Sequence, residues 1–142
     1  MSAIRRKNAF AERFEQVTGR AVIQMNFAES ATLARGRAGL ATLQEERKFE
    51  GGFIFCSSDV LAHGVLIEAR ARGLRVPQEI AVMGFADQEF AADVEPAITT
   101  IRVDRDAFGH AAADAILLRL AGRAVERSAI NLGFEIVRRA SA

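Results

Sequence analysis

GGFIFCSSDVLAHGVLIEARARGLRVPQEIAVMGFAD, residues 51–87, decides the fold. The run 52–56 is short and apolar, with glycines before it and serines after it, as a buried strand requires. Ser57, Ser58 and Asp59 then supply small oxygen-bearing side chains, which satisfy the first unpaired N–H groups of a helix. Leu61, Val65, Leu66 and Ala69 recur at helical spacing, while Glu68, Arg70 and Arg72 turn to water. Gly73 can adopt the positive φ of a helix stop and Pro77 keeps the helix from resuming. Residues 80–85, IAVMGF, form a second strand. Strand, crossover helix and strand make a right-handed βαβ unit and hence a mainly parallel sheet. Ligands of such sheets sit beyond the carboxyl ends of the strands, here 57–59 and 85–87.

Outside this unit the same reading continues. Residues 2–17 form a helix, with Phe10, Phe14 and Val17 on one stripe and Arg6 one turn before Phe10. Residues 21–27 alternate as a short strand, and 29–46 form a second helix whose Gly36 and Gly39 weaken it or admit a close neighbour. An acidic loop spans 88–96, a strand 98–103 and a long helix 104–121, with Phe108, Ala112, Ala115, Ile116 and Leu120 inward. Residues 131–138 form the last strand. Alternating elements define the α/β class. The chain opens on a helix with no strand before it, from which a C-terminal fragment is expected.

At 142 residues the chain is one domain or a large piece of one. It is long enough to bury roughly 70% of its unfolded surface. A net charge of +1 exerts no general pull on nucleic acid, and the cluster Arg5-Arg6-Lys7 reads as a solvated helix face or a ligand contact. The single cysteine, Cys56, lies in a buried strand as packing and cannot form an internal disulfide, which favours a reducing compartment. No apolar run reaches the ~20 residues of a membrane span, and the first residues lack a secretion signal's apolar core. A cytoplasmic location is expected.

His63 and His110 sit in predicted helices without Cys or His at ligand spacing, so neither a metal nor any other cofactor is expected. There is no Gly-x-Ser-x-Gly elbow for a hydrolase, no dinucleotide loop and no DNA-reading motif. The polar residues at strand ends remain: Ser58, Asp59, Asp87, Arg102 and Asp104, joined by Arg6 and Phe27. Asp59 and Asp104 equally suit helix capping. Phe27 suits either stacking on a sugar or plugging the core.

Three blocks, FCSSDVLAHGVL (55–66), RGLRVPQEIAVMGFAD (72–87) and PAITTIR (96–102), resemble the lactose/galactose repressor (LacI/GalR) family of bacterial regulators. The resemblance implies the C-terminal part of an effector-binding domain, folded like the periplasmic sugar-binding proteins, with 1–142 holding most of the C-terminal lobe. The operator-reading headpiece is absent from these residues. It further implies effector contacts at Arg6 (four residues before the aromatic Phe10), Phe27, Ser58, Asp59, Asp87 and Arg105. Two aspartates usual in the family read Ala86-Asp87 here, and its Asn-Asp reads Ser58-Asp59. Losing one carboxylate while keeping arginines favours an anion, since a charge-assisted hydrogen bond is worth roughly 1.5–3 kcal/mol. Residues 84–92, GFADQEFAA, also resemble the gluconate-repressor branch, so a sugar acid such as gluconate or its phosphate is the expected effector. A homodimer is implied, with 59–72 and 88–94 as contact surfaces. The alternatives are a transporter's solute-binding protein of the same fold and an α/β enzyme using Asp59 or Asp87 as acid or base.

Overall fold

The computed structural model describes residues 3–27, 30–124 and 130–142. The central unit forms where its sequence places it, but its first strand, expected to be buried, lies at one end of the sheet with Phe53 51% exposed. Strand β1 (Gly52–Phe55) leads into helix α3 (Asp59–Ala71), which returns to strand β2 (Ile80–Phe85). Helices α1 (Ala3–Thr18) and α2 (Leu33–Glu45) precede it; strand β3 (Thr99–Arg102), helix α4 (Arg105–Leu120) and strand β4 (Glu135–Val137) follow. The sheet runs β1-β2-β3-β4, the first three strands parallel and β4 antiparallel to β3. The protein is therefore α/β with a mostly parallel sheet, as expected.

Pleat and burial agree. Ile80, Val82 and Gly84 alternate toward α3 and are buried, while Ala81, Met83 and Phe85 face the other side and are half-covered. The core joins Ile80, Val82, Cys56 and Ile98 to Ala62, Val65, Leu66 and Ala69 of α3 and to Leu40 of α2. Gly73, at φ 71°, ends α3 in the left-handed conformation foreseen for it. Helices α2 and α3 touch backbone to backbone at Gly36 and Gly64. A Cβ on Gly36 would stand 2.3 Å from the Leu61 carbonyl oxygen, and one on Gly64 would stand 2.2 Å from that of Leu33. Gly36 thus serves close approach. Gly39 instead meets the ring of Phe27.

Three expectations are corrected. Residues 21–27 form no strand. Alternation supplies a pattern but not a hydrogen-bonding partner, and this segment is held by side chains: Lys7 Nζ donates to Asn26 Oδ1 at 2.9 Å and Phe27 rests on Gly39. Helix α4 forms but has no buried residue; Phe108 is 65% exposed and Leu120 79%. A helix buries its apolar side only against a second layer, and no other described element packs extensively on α4. On α1 the stripe is likewise only partly used: Phe10 meets Phe55 at 5.1 Å between ring centroids, whereas Val17 stays exposed. The second helix begins at Leu33, capped by Thr32, and the expected start at Glu29 lies outside the described residues, as does Ser2 of the first helix. Within the acidic loop, Glu89–Ala92 adopts a short 3-10 turn.

The chain's last residues do unforeseen work. Parallel pairing of β2 with β3 begins at Met83 and Thr99, and one residue earlier the partner of Val82 is Ser141. Val82 N donates to Ser141 O at 2.7 Å, Ser141 Oγ donates to Val82 O at 2.6 Å, and Thr99 N donates to Ser141 Oγ at 2.8 Å. Ser141 is fully buried.

Candidate functional site at the strand tips

The helix-start residues divide their roles. Ser58 is the N-cap of α3, its side chain accepting from Leu61 N at 3.3 Å. Asp59, one residue on, is fully buried and reaches across the sheet instead. Its Oδ1 accepts from Thr100 Oγ1 at 2.5 Å and its Oδ2 from Gln88 N at 2.7 Å. The carboxylate lies over Gly84, where a Cβ would meet it at 2.1 Å. Asp59 therefore ties α3, β3 and the loop after β2 together. Of the two aspartates read as possible caps, Asp104 is one, accepting from Ala107 N at 2.9 Å.

Arg6 comes to the same end of the sheet from α1. Its guanidinium donates to Ser57 O at 3.2 Å and lies 3.8 Å from the centroid of the Phe85 ring. Burial pulls its pKa below the usual arginine value.

Asp87 follows Ala86, and both take positive φ (48° and 104°), a conformation uncommon for residues with a side chain. Hydrogen bonds hold this turn: Ala86 N donates to Ile101 O at 2.9 Å and Asp87 N to Thr100 Oγ1 at 3.4 Å. The Asp87 carboxylate lies between two arginines, with Arg102 Nε on Oδ2 at 2.6 Å and Arg139 Nη2 on Oδ1 at 2.7 Å. Burial pushes its carboxyl up, but the hydrogen bonds and charges of Arg139 and Arg102 outweigh that and hold it below the usual carboxylate range. Arg105 donates to the carbonyl oxygens of Ala86 and Asp87, the latter at 3.2 Å. Here an open depression of about 590 Å³ is lined by Asp87, Arg102, Arg105, Phe134 and Glu135, among others.

Of the six effector contacts expected, Arg6, Ser58, Asp59, Asp87 and Arg105 gather at the tips of β1, β2 and β3. Phe27 instead lies against Gly39 of α2. Arg139 was missed. It lies 52 residues from its partner, just past the strand expected at 131–138, and only tertiary contact reveals it. Among the described residues no cluster of three His, Cys, Asp or Glu could hold a metal. His63 packs against Phe90 in a tilted arrangement, 5.7 Å between ring centroids.

Residues 2–142 match the model of the periplasmic binding protein-like domain. The HTH-type transcriptional regulator GntR of Pseudomonas aeruginosa is 43% identical over 90 residues, 63% of this chain and 26% of that protein. A transcription regulator GntR from Chromobacterium violaceum superposes with a TM-score of 0.87 at 26% identity, covering 98% of this chain and 51% of that one. A LacI family transcriptional regulator from Lactobacillus casei, solved with bound sucrose, gives 0.73 at 32% identity, covering 96% of this chain and 50% of that one. The chain thus spans about half the length of these solved regulators, and its alignment a quarter of the curated one. With the fold, the strand-tip polar residues and these relatives together, the chain belongs to the periplasmic binding protein-like domain family, in the form found in the effector-binding part of LacI/GalR transcriptional regulators.

Proposed function

We propose that the chain is the C-terminal part of an effector-sensing domain whose strand tips hold a sugar acid of the gluconate type. One observation carries the choice of an acid: Asp87, at the tip of β2, is already neutralised between Arg102 and Arg139. Ala86 contributes no second carboxylate there, and Arg105 carries its charge against neutral carbonyl oxygens. An effector carboxylate would meet guanidinium groups and its hydroxyls the outer lone pairs of Asp87. Asp104 and Asp106 also line the depression, and Asp104 is committed to capping α4.

In this reading the effector is held and not transformed. Asp59 is committed to Thr100 and Gln88, and Asp87 to its arginines, so neither carboxylate is free as the acid or base of an enzyme. The full regulator would close a second lobe over the effector and pass that closure to an operator-reading headpiece, as a cytoplasmic homodimer. Moving such an equilibrium from 1:99 to 99:1 takes about 5.5 kcal/mol of differential binding. The 59–72 dimer surface is narrowed by α2, which packs along α3.

The competing occupant is a neutral sugar, as in the sucrose-bound relative. Titration with sodium gluconate and with glucose, followed by amide chemical shifts, tests the reading. Gluconate should move the amides of residues 86–88 and 102–105 at lower concentration than glucose. Tighter binding of glucose would end it.

A further inference from the structure

The two arginines on Asp87 differ. Arg102 stands 47% exposed at the depression and is shared, with Nη1 on Glu135 Oε2 at 3.3 Å. Arg139 is only 16% exposed and approaches from inside. Its Nη1 donates to Ile98 O at 2.8 Å while Nη2 holds Asp87. Its own backbone is pinned, with Arg139 N donating to Thr99 Oγ1 at 2.9 Å and Thr99 Oγ1 donating to Arg139 O at 3.1 Å. Two residues later Ser141 is locked between β2 and β3.

We propose that Arg139 is the positioning residue of the effector site: it fixes Oδ1 of Asp87 from the protein side, so that Oδ2 alone is exchangeable between Arg102 and a ligand. The inference rests on the effector reading of Asp87. Arg102 can swing to Glu135 when a ligand group takes its place, because Glu135 already holds one of its nitrogens. Arg139 has no such second carboxylate among the described residues, and releasing it would leave a largely buried guanidinium without its counter-charge. The planar fork suits the task, since one guanidinium spans a carbonyl and a carboxylate in fixed geometry. Asp87 needs such a fixture. The left-handed backbone of Ala86 and Asp87 sets where the turn lies, but the carboxylate itself is oriented only by its partners. Seating of the last four residues between β2 and β3 thereby becomes a condition for a competent site.

Two readings on the 142-residue chain test this: the carboxyl ¹³C titration of Asp87 without ligand, and the affinity for sodium gluconate. R139Q is expected to raise the Asp87 titration toward the ordinary carboxylate range and to weaken gluconate by about tenfold or more. V82A, which opens a cavity beside the same strap without touching any charge, should lower the thermal midpoint and leave both readings at the wild-type value. An unchanged Asp87 titration in R139Q overturns the proposal. So does a raised titration with unchanged gluconate affinity, or an equal loss of affinity in V82A. If the wild-type chain answers neither gluconate nor glucose, the same titrations on the full regulator, which holds both lobes, decide: silence there ends the effector reading and the proposal with it, and a raised Asp87 titration in R139Q then identifies the reading, not the Arg139 contact, as the part that failed.

Discussion

Asp59 and Thr100, 41 residues apart, share a 2.5 Å hydrogen bond inside the protein, where both are fully buried. The bond joins the start of α3 to the middle of β3, and the second oxygen of Asp59 fixes the loop after β2 through Gln88 N. D59A removes the acceptor of one buried donor, Thr100 Oγ1, and one half-buried donor, Gln88 N, and should cost roughly 3 kcal/mol, read as a lower urea midpoint at unchanged slope. T100V removes the hydroxyl donor to Asp59 and the acceptor of Asp87 N but keeps the Gln88 bond, and should cost less. Equal stability of D59A and the wild type would contradict the assignment of Asp59 as the brace of the strand tips.

The glycine contact between α2 and α3 is steric. In G64A the new methyl meets the Leu33 carbonyl oxygen at 2.2 Å and forces the helices apart. A loss of about 1–3 kcal/mol is expected, visible in the circular-dichroism melt. G109A, on exposed α4 with nothing near its Cβ position, should be neutral or slightly stabilising.

Acid should act through Asp87. Its folded carboxyl binds a proton less readily than the unfolded one, so its contribution is complete above the unfolded pKa, near about 3.9, and is lost as pH falls through the lower folded value. D87N removes the titration, and its stability should fall less steeply with pH than the wild type's below about pH 4. Urea melts at a series of pH values give the comparison.

The thiol of Cys56 is pushed up to about 12 by burial and by the neighbouring charge of Asp59. A thiol-specific disulfide reagent at pH 8 should leave it unmodified in the native state and label it fully in denaturant. Rapid native labelling would show that β1 opens to solvent.

S141A deletes the hydroxyl that serves Thr99 N and Val82 O. A cost of about 1–3 kcal/mol is expected for the two buried groups left unpaired, measured by urea unfolding.

Local chemistry determined the central unit. The apolar runs 52–56 and 80–85, the serine cap, the stripe from Leu61 to Ala69 and the stop at Gly73 all appear where periodicity and capping place them, because each depends on neighbours within about one turn or one strand. The same logic failed for residues 21–27 and for the inward side of α4. A strand needs a partner and a helix face needs a layer, and neither lies within reach of a sequence window. That polar residues gather at the strand tips was legible from topology alone. What each one does was not: Asp59 turned inward to bind its own chain, and Asp87 was claimed by an arginine from the other end of the domain. Hydrogen bonds between groups 41 and 52 residues apart are set by how the strands stack side by side, and only the assembled sheet decides that order.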